Sequence, residues 1–191
     1  MSQVGISKLH YAKITTDETT SANPVYGTVQ APTCGLVSVD ISTSTSTTSL
    51  YADNILWDTE TSQGEITANF TVADFPMDMQ ADLLGHTYDS SAKTLIKKVD
   101  DVAPYCAVGF EFLQASGKKM CVWLYKGKFA EPTTSGSTKG ENTEFQTSEM
   151  TASFSALKGA GGNTGRWMYT QEFDATDSTD SFYASVPLAS N

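Results

Sequence analysis

The stretch CAVGFEFLQASGKKMCVWLY, residues 106–125, decides the fold. Cys106, Val108, Phe110 and Phe112 are apolar at every second position, and Met120, Val122 and Leu124 repeat the pattern beyond the polar link SGKK at 116–119. A period of two marks an extended strand whose side chains alternate between two faces. Two such runs across a short glycine-bearing link predict an antiparallel hairpin. A turn centred near Gly117 sets Cys106 opposite residue 127 or 128 and Cys121 near Phe112, so these thiols are not expected to bond. In the second run Trp123 and Tyr125 share one face while Val122 and Leu124 occupy the other. A strand apolar on both sides must be central in its sheet or covered by a partner, and we read this as favouring assembly.

The same alternation extends outward. Val37, Val39 and Ile41 alternate with Ser38, Asp40 and Ser42; Ile66, Ala68, Phe70 and Val72 alternate with Glu65, Thr67, Asn69 and Thr71. Each set has one apolar and one wet face. Further strands are expected at 9–15, 150–157 and 166–173, with a glycine-rich turn at 159–165. The fold class is therefore mainly β, a sandwich or barrel of antiparallel strands. One flanking helix is predicted at 75–84, where Met79, Leu83 and Leu84 recur at helical spacing between Pro76 and Gly85. Asp74, Asp78 and Asp82 lie four apart and could present carboxylates to a metal. The dipole reading is simpler: the first two sit near the positive helix end and Asp82 is an ordinary solvated position. Residues 42–49 are unbroken Ser and Thr, and 131–142 read EPTTSGSTKGEN; both are expected to be loosely held segments, either ordered by a partner or plain mobile surface loops. The tail at 174–191 reads as either a flexible end or a docking arm.

At 191 residues and 20.5 kDa the chain is expected to form a single domain, 1–191. Its net charge of −10 argues against gripping nucleic acid. The field is uneven, since residues 1–95 hold 3 basic and 11 acidic side chains and residues 96–191 hold 9 and 11. No basic cluster followed by an apolar run stands behind Met1, so no signal peptide is expected, and no apolar stretch is long enough to span a bilayer. Three cysteines, Cys34, Cys106 and Cys121, without CxxC spacing, read as buried reduced thiols. Catalytic motifs are missing. His10 and His86 lie far apart outside any metal spacing, and His86, just past the helix stop, reads as a cap or dipole partner. GAGGNTG at 159–165 has Thr164 where a dinucleotide loop needs its third glycine. Asp100 and Asp101 are adjacent, so on a strand they would point apart. Trp57, Trp123, Tyr125, Trp167 and Tyr169 could form a stacking platform, but most are core candidates. No catalytic, cofactor-binding or metal residue is assigned.

Six segments taken in order carry a resemblance: VGISKLHYA (4–12), LYADN (50–54), TVADFPMDMQADLLGHTYD (71–89), DDVAPYCAVGFEF (100–112), VWLYKGKFAEP (122–132) and EFQT (144–147). Together they resemble the major tail protein of long, non-contractile-tailed bacteriophages of siphovirus type. The resemblance departs at 16–32, in the Ser/Thr run and from 159 onward. It implies a β-sandwich subunit with no enzymatic activity and no cofactor. Subunits would form hexameric rings that stack into a hollow tail tube through which the genome leaves. It further implies tape measure, tail tip and tail terminator proteins as partners, DNA present only transiently in the lumen, no membrane, and assembly in the host cytoplasm. Strand edges would pair between copies. An acidic lumen would let DNA slide, and Glu65 is its candidate residue. A loop at about 127–147 would reach a neighbour, with Phe129 and Phe145 as anchors. The inter-subunit set is Leu50, Tyr51, Asp53, Phe129, Glu131, Pro132, Phe145, Gln146 and Thr147. The competing readings are a monomeric β-sandwich binding module, an adhesin or carbohydrate-binding domain, and an enzyme built on scattered carboxylates.

Overall fold

The computed structural model describes residues 2–133, 147–159 and 161–189. Strands β1 (Gln3–Thr16), β2 (Val25–Tyr26), β3 (Leu36–Ala52) and β4 (Ile55–Val72) precede helix α1 (Met77–Leu84). Strands β5 (Thr87–Asp89), β6 (Thr94–Ile96), β7 (Tyr105–Gln114), β8 (Lys119–Phe129), β9 (Ser148–Phe154) and β10 (Met168–Phe173) follow, and a short helix α2 (Asp180–Tyr183) comes last. The architecture is mainly antiparallel β, as the alternation predicts.

The hairpin at 106–125 is the middle of the sheet. β7 and β8 pair with Phe110 opposite Val122, Cys106 opposite Gly127 and Cys121 opposite Glu111. The turn is closed by the Gln114 N–H donating to the Lys118 carbonyl at 2.9 Å, with Gly117 at φ 83, a conformation glycine adopts without strain. Gly109 lies opposite Trp123, where a Cβ would stand 2.9 Å from the indole; the missing side chain lets the ring lie flat on the strand.

The long sheet runs β2-β1-β7-β8-β9-β4-β3, and it forks at β8. On the edge of β8 away from β7, β10 pairs with residues 119–124 while β9 takes Gly127–Phe129. β9, β4 and β3 curl over the first core, bringing β3 within 8 Å (Cα–Cα) of β1 without pairing. Val108, Phe110, Val122 and Leu124 meet Phe70, Val72, Met150 and Phe154 there. α1 adds Met79, Leu83 and Leu84, all buried. It ends at Gly85, which is left-handed at φ 78. Asp82 is not a solvated bystander: it accepts from the Tyr11 hydroxyl at 2.9 Å and the Lys13 ammonium at 2.6 Å, tying α1 to β1.

The other face of β8 carries Cys121, Trp123 and Tyr125 into a second core. β8 is central in its sheet, the first of the two expected alternatives, and its second face gives no ground for a partner because the chain covers that face itself. Phe182, Tyr183 and Val186 pack on it. The Trp123 indole N–H donates to the Phe182 carbonyl at 3.2 Å, and the Tyr125 hydroxyl to the Pro187 carbonyl at 2.7 Å. The Tyr183 hydroxyl donates to the Phe110 carbonyl at 2.6 Å, and the Thr179 hydroxyl to the buried Glu111 carboxylate at 2.7 Å. Among the described residues, the carboxyl-terminal segment is thus a docked strap.

The second correction concerns residues 42–49, which are not loop but the middle of β3, paired with β4 apart from a bulge at Ser44. Threonine is β-branched and fits an extended backbone, and Thr47 stands directly opposite Thr61 with their hydroxyls 3.2 Å apart.

Candidate assembly interface

β3 and β4 leave the body of the protein together. From Thr45 opposite Gln63 to Ala52 opposite Ile55 they form eight cross-strand pairs. At about 3.3 Å per residue the ribbon extends roughly 25 Å. Residues 42–65 are exposed apart from the half-buried Ala52. Asp53 and Asn54 make the turn at φ 51 and 63, the two-residue geometry that Asp and Asn tolerate best after glycine. Around this turn five large apolar side chains face solvent: Leu50 at 59%, Tyr51 at 68%, Ile55 at 68%, Leu56 at 52% and Trp57 at 71% exposure. Of the sequence-derived set, Leu50, Tyr51 and Asp53 therefore sit together at one projecting tip. Ile55, Leu56 and Trp57 belong with them and were missed. The signal was present, as two apolar triplets around Asp-Asn.

One face of the β3–β4–β9 sheet packs on the core and the other is wet. Asp40 pairs with Asn69, and Asn69 with Thr151; Ser38 pairs with Thr71, and Thr71 with Glu149. Directly opposed residues share a face, so Asp40 and Glu149 lie on the wet side. Glu65 joins them at a bulge opposite Ser44, its carboxylate accepting from the Ser153 hydroxyl at 2.8 Å. Glu60 and Asp58 continue the same face toward the tip, opposite Thr48 and Leu50. These three strands contain no lysine or arginine.

The sheet has open edges. Among the described residues β3 pairs only with β4, so its outer edge is unpaired over 17 residues. β10 pairs only with β8, and β4 beyond Ile66 pairs only with β3. β3 carries no proline, lysine or bulky cap of the kind that blunts a solvent-facing edge.

A second part of the predicted set gathers elsewhere. Glu131, Pro132 and Thr147 line a polar cavity of about 410 Å³ with Glu149 and Thr151, which brings together the two ends of the proposed assembly loop. Glu131 is held at this base. Its carboxylate accepts from His86 Nε2 at 3.0 Å and from the Lys97 ammonium. The hydrogen bond from Lys97, with help from that of His86, draws the Glu131 carboxyl below its usual range. His86 Nδ1 lies 2.8 Å from Asp101, so this histidine bridges two carboxylates instead of capping the helix. Phe129 has no face to offer a neighbour, being 6% exposed in the first core beside Phe70. Phe145 and Gln146 lie outside the described residues.

Little here resembles a reaction centre. The three cysteines are buried, and burial pushes the Cys106 thiol up to about 12. Among the described residues no group of three His, Cys, Asp or Glu is placed to hold a metal, and no helix is long and apolar enough to cross a membrane. What the geometry offers is unpaired backbone, an exposed apolar tip and a basic-free acidic face, which are the means of association and not of bond-making.

A family model described as phage tail tube protein matches residues 3–187. No match is found among curated proteins. The match spans both hairpins, α1 and the docked strap, so the chain belongs to the phage tail tube protein family, a structural and non-enzymatic component of the virion tail that assembles with other phage proteins.

Proposed function

We propose that copies of this chain close into rings, hexameric in number, by pairing the free edge of β3 with an open edge of the next copy, and that the rings stack into the hollow tube of a long non-contractile tail. The observation that carries this reading is the acidic wet face of β3–β4–β9, adjacent to an edge that no strand among the described residues covers. Turned inward, Asp40, Asp58, Glu60, Glu65 and Glu149 face the bore. Duplex DNA carries a negative charge about every 1.7 Å of its axis, and three strands without lysine or arginine give those phosphates little to grip, Lys128 opposite Ser153 lying at their margin. The genome then slides out instead of adhering. Edge-to-edge pairing within a ring closes on itself, whereas ring-on-ring contact is head-to-tail and grows a filament. The loop between Glu131 and Thr147 reaches across to a neighbouring copy, and the tape measure, tail tip and terminator proteins set the tube's length and ends. Assembly takes place in the host cytoplasm.

The test is electron microscopy of the purified protein, alone and with its tail-tip complex, beside a variant carrying Glu60→Lys and Glu65→Lys. Wild-type tubes that exclude DNA and variant tubes that retain it support the reading. Monomers under both conditions, or equal DNA retention by the two tubes, contradict it.

A further inference from the structure

Both ring nitrogens of His86 meet carboxylate oxygens, Nδ1 that of Asp101 at 2.8 Å and Nε2 that of Glu131 at 3.0 Å. A neutral imidazole carries one N–H, so in that form one nitrogen turns a lone pair toward an acceptor. Two arrangements remove the clash, a protonated carboxyl or a protonated ring. The carboxyls are held ionised by other donors. The Lys98 backbone N–H donates to the same Asp101 oxygen at 2.9 Å, and the Lys97 ammonium donates to the second oxygen of Glu131. These bonds first, and those of His86 after them, draw both carboxyls below their usual range. The second proton therefore sits on the ring, which stands as an imidazolium between two carboxylates.

The ring is fixed in place. Its side chain is 7% exposed, and it follows Gly85, the left-handed stop of α1, where any Cβ would collide with the Val102 carbonyl. That close approach sets residues 85 and 86 against the 98–103 segment, which is itself turned by the Asp101 N–H donating to the Lys98 carbonyl at 3.2 Å. The hollow of about 310 Å³ beside the ring has Lys97, Lys98, Asp101 and Glu131 as its charged lining; α1 and β8 give it the apolar Leu84 and Phe129. The two carboxylates differ in freedom. Asp101 is 14% exposed and also held by the Lys98 amide, whereas Glu131 is 50% exposed. When the ring gives up a proton, its remaining N–H stays with Asp101 and its lone pair faces Glu131, the partner with room to swing into solvent. Pro132 follows, and a residue before proline is confined to extended backbone, so a displacement of Glu131 carries into the chain beyond it.

We propose that His86 is a proton-operated clamp that fixes where the chain leaves the body at Glu131, and that assembly weakens as the ring loses its proton. This rests on the reading above that the loop between Glu131 and Thr147 reaches a neighbouring copy, and it adds the residue that aims that loop. The clamp is closed on the acid side of the range in which histidine changes charge, roughly pH 5 to 8, and opens on the alkaline side. Lys97 and Glu131 are about half exposed, so their tie adds little to global stability and its loss is read locally.

The experiment measures the critical concentration for assembly of the wild type, His86→Gln and Asp101→Asn by sedimentation at about pH 6 and about pH 8, and the amide order parameters of Glu131 and Thr133 in each monomer at the same values. The wild type is expected to need at least about fivefold more protein at the higher pH, with both order parameters falling. His86→Gln has no proton to lose, and in Asp101→Asn the amide can donate to the bare nitrogen of a neutral ring, so both variants are expected to lose the pH dependence. A packing role alone would shift a variant's level and leave its slope. Should His86→Gln not melt cooperatively, Asp101→Asn and the wild-type order parameters decide. Wild-type assembly or order parameters that ignore pH overturn the clamp and leave self-assembly standing. So does a slope that survives in either variant, as it would if it came from His10 on Tyr183. A wild type that stays monomeric at both values, even with a tail-tip complex, overturns self-assembly and this proposal together.

Discussion

The β7–β8 hairpin and the β3–β4 hairpin are built by the same rules and end in opposite conditions. The first is covered on both faces, by α1 and the β4–β9 sheet on one side and by the chain's own carboxyl-terminal strap on the other. The second carries its polar residues through solvent, has both backbone edges unpaired between Ile55 and Glu65 among the described residues, and puts its apolar residues at the far end. A two-stranded ribbon alone in water is marginal at best. The difference teaches where this chain completes its own structure and, on the function proposed above, where it leaves that to a neighbour.

Substitutions that separate folding from assembly sharpen the contrast. Trp123→Ala, in the closed hairpin, is expected to cost about 3–5 kcal/mol and lower the melting temperature on the order of 10 °C, read by calorimetry. A loss below about 1 kcal/mol would mean that β8 is not the keystone it is taken to be. Phe129→Ala removes a core ring and is expected to cost about 2–4 kcal/mol, slightly less because the ring lies at the strand's end. Were Phe129 instead an anchor for a neighbour, the variant would melt normally and fail only in assembly.

The strap makes a subtler prediction. His10 stacks on Tyr183 with ring centroids 4.3 Å apart and planes 4° from parallel. Burial lowers the His10 pKa from its ordinary 6.5, partly offset by a hydrogen bond to the Lys8 carbonyl; the charged groups around it are Lys8, Asp180 and Glu111. The folded chain thus prefers the neutral ring, so this stability is present above pH 6.5 and erodes as the pH falls below it. Urea midpoints at pH 7.5 and 5.5 should differ more in the wild type than in His10→Phe. An equal difference would detach the stack from the strap's stability.

Smallest of all is the expected effect on the monomer of Tyr51→Ser, within about 0.5 kcal/mol, because the side chain touches solvent. Its assembly, measured by sedimentation, should suffer all the same. A destabilised Tyr51→Ser monomer would show that the arm folds back on its own body in solution.

Much of the closed part was legible in the sequence because contrast between faces is what periodicity detects: Val108 and Phe110 against Val122 and Leu124, and α1 stopped by Gly85. The projecting ribbon was illegible for the same reason. Residues 42–49 have two wet faces, so they show no contrast, and β-branching of their threonines was the only sign of a strand. Long-range pairings were out of reach as well. Asp82 meets Lys13, and His86 meets Glu131, across separations that no local pattern encodes. The packing of the strap's Phe182 and Tyr183 on Trp123 is another such pairing.

The central claim is that a sister copy completes the β3–β4 arm, and amide hydrogen exchange tests it most directly. Amides of β7 and β8 should be protected equally in monomer and tube, whereas the outward-facing amides of β3 and of β4 before Ile66 should exchange rapidly in the monomer and slow sharply on assembly. Rapid exchange along the arm in both states would contradict the account.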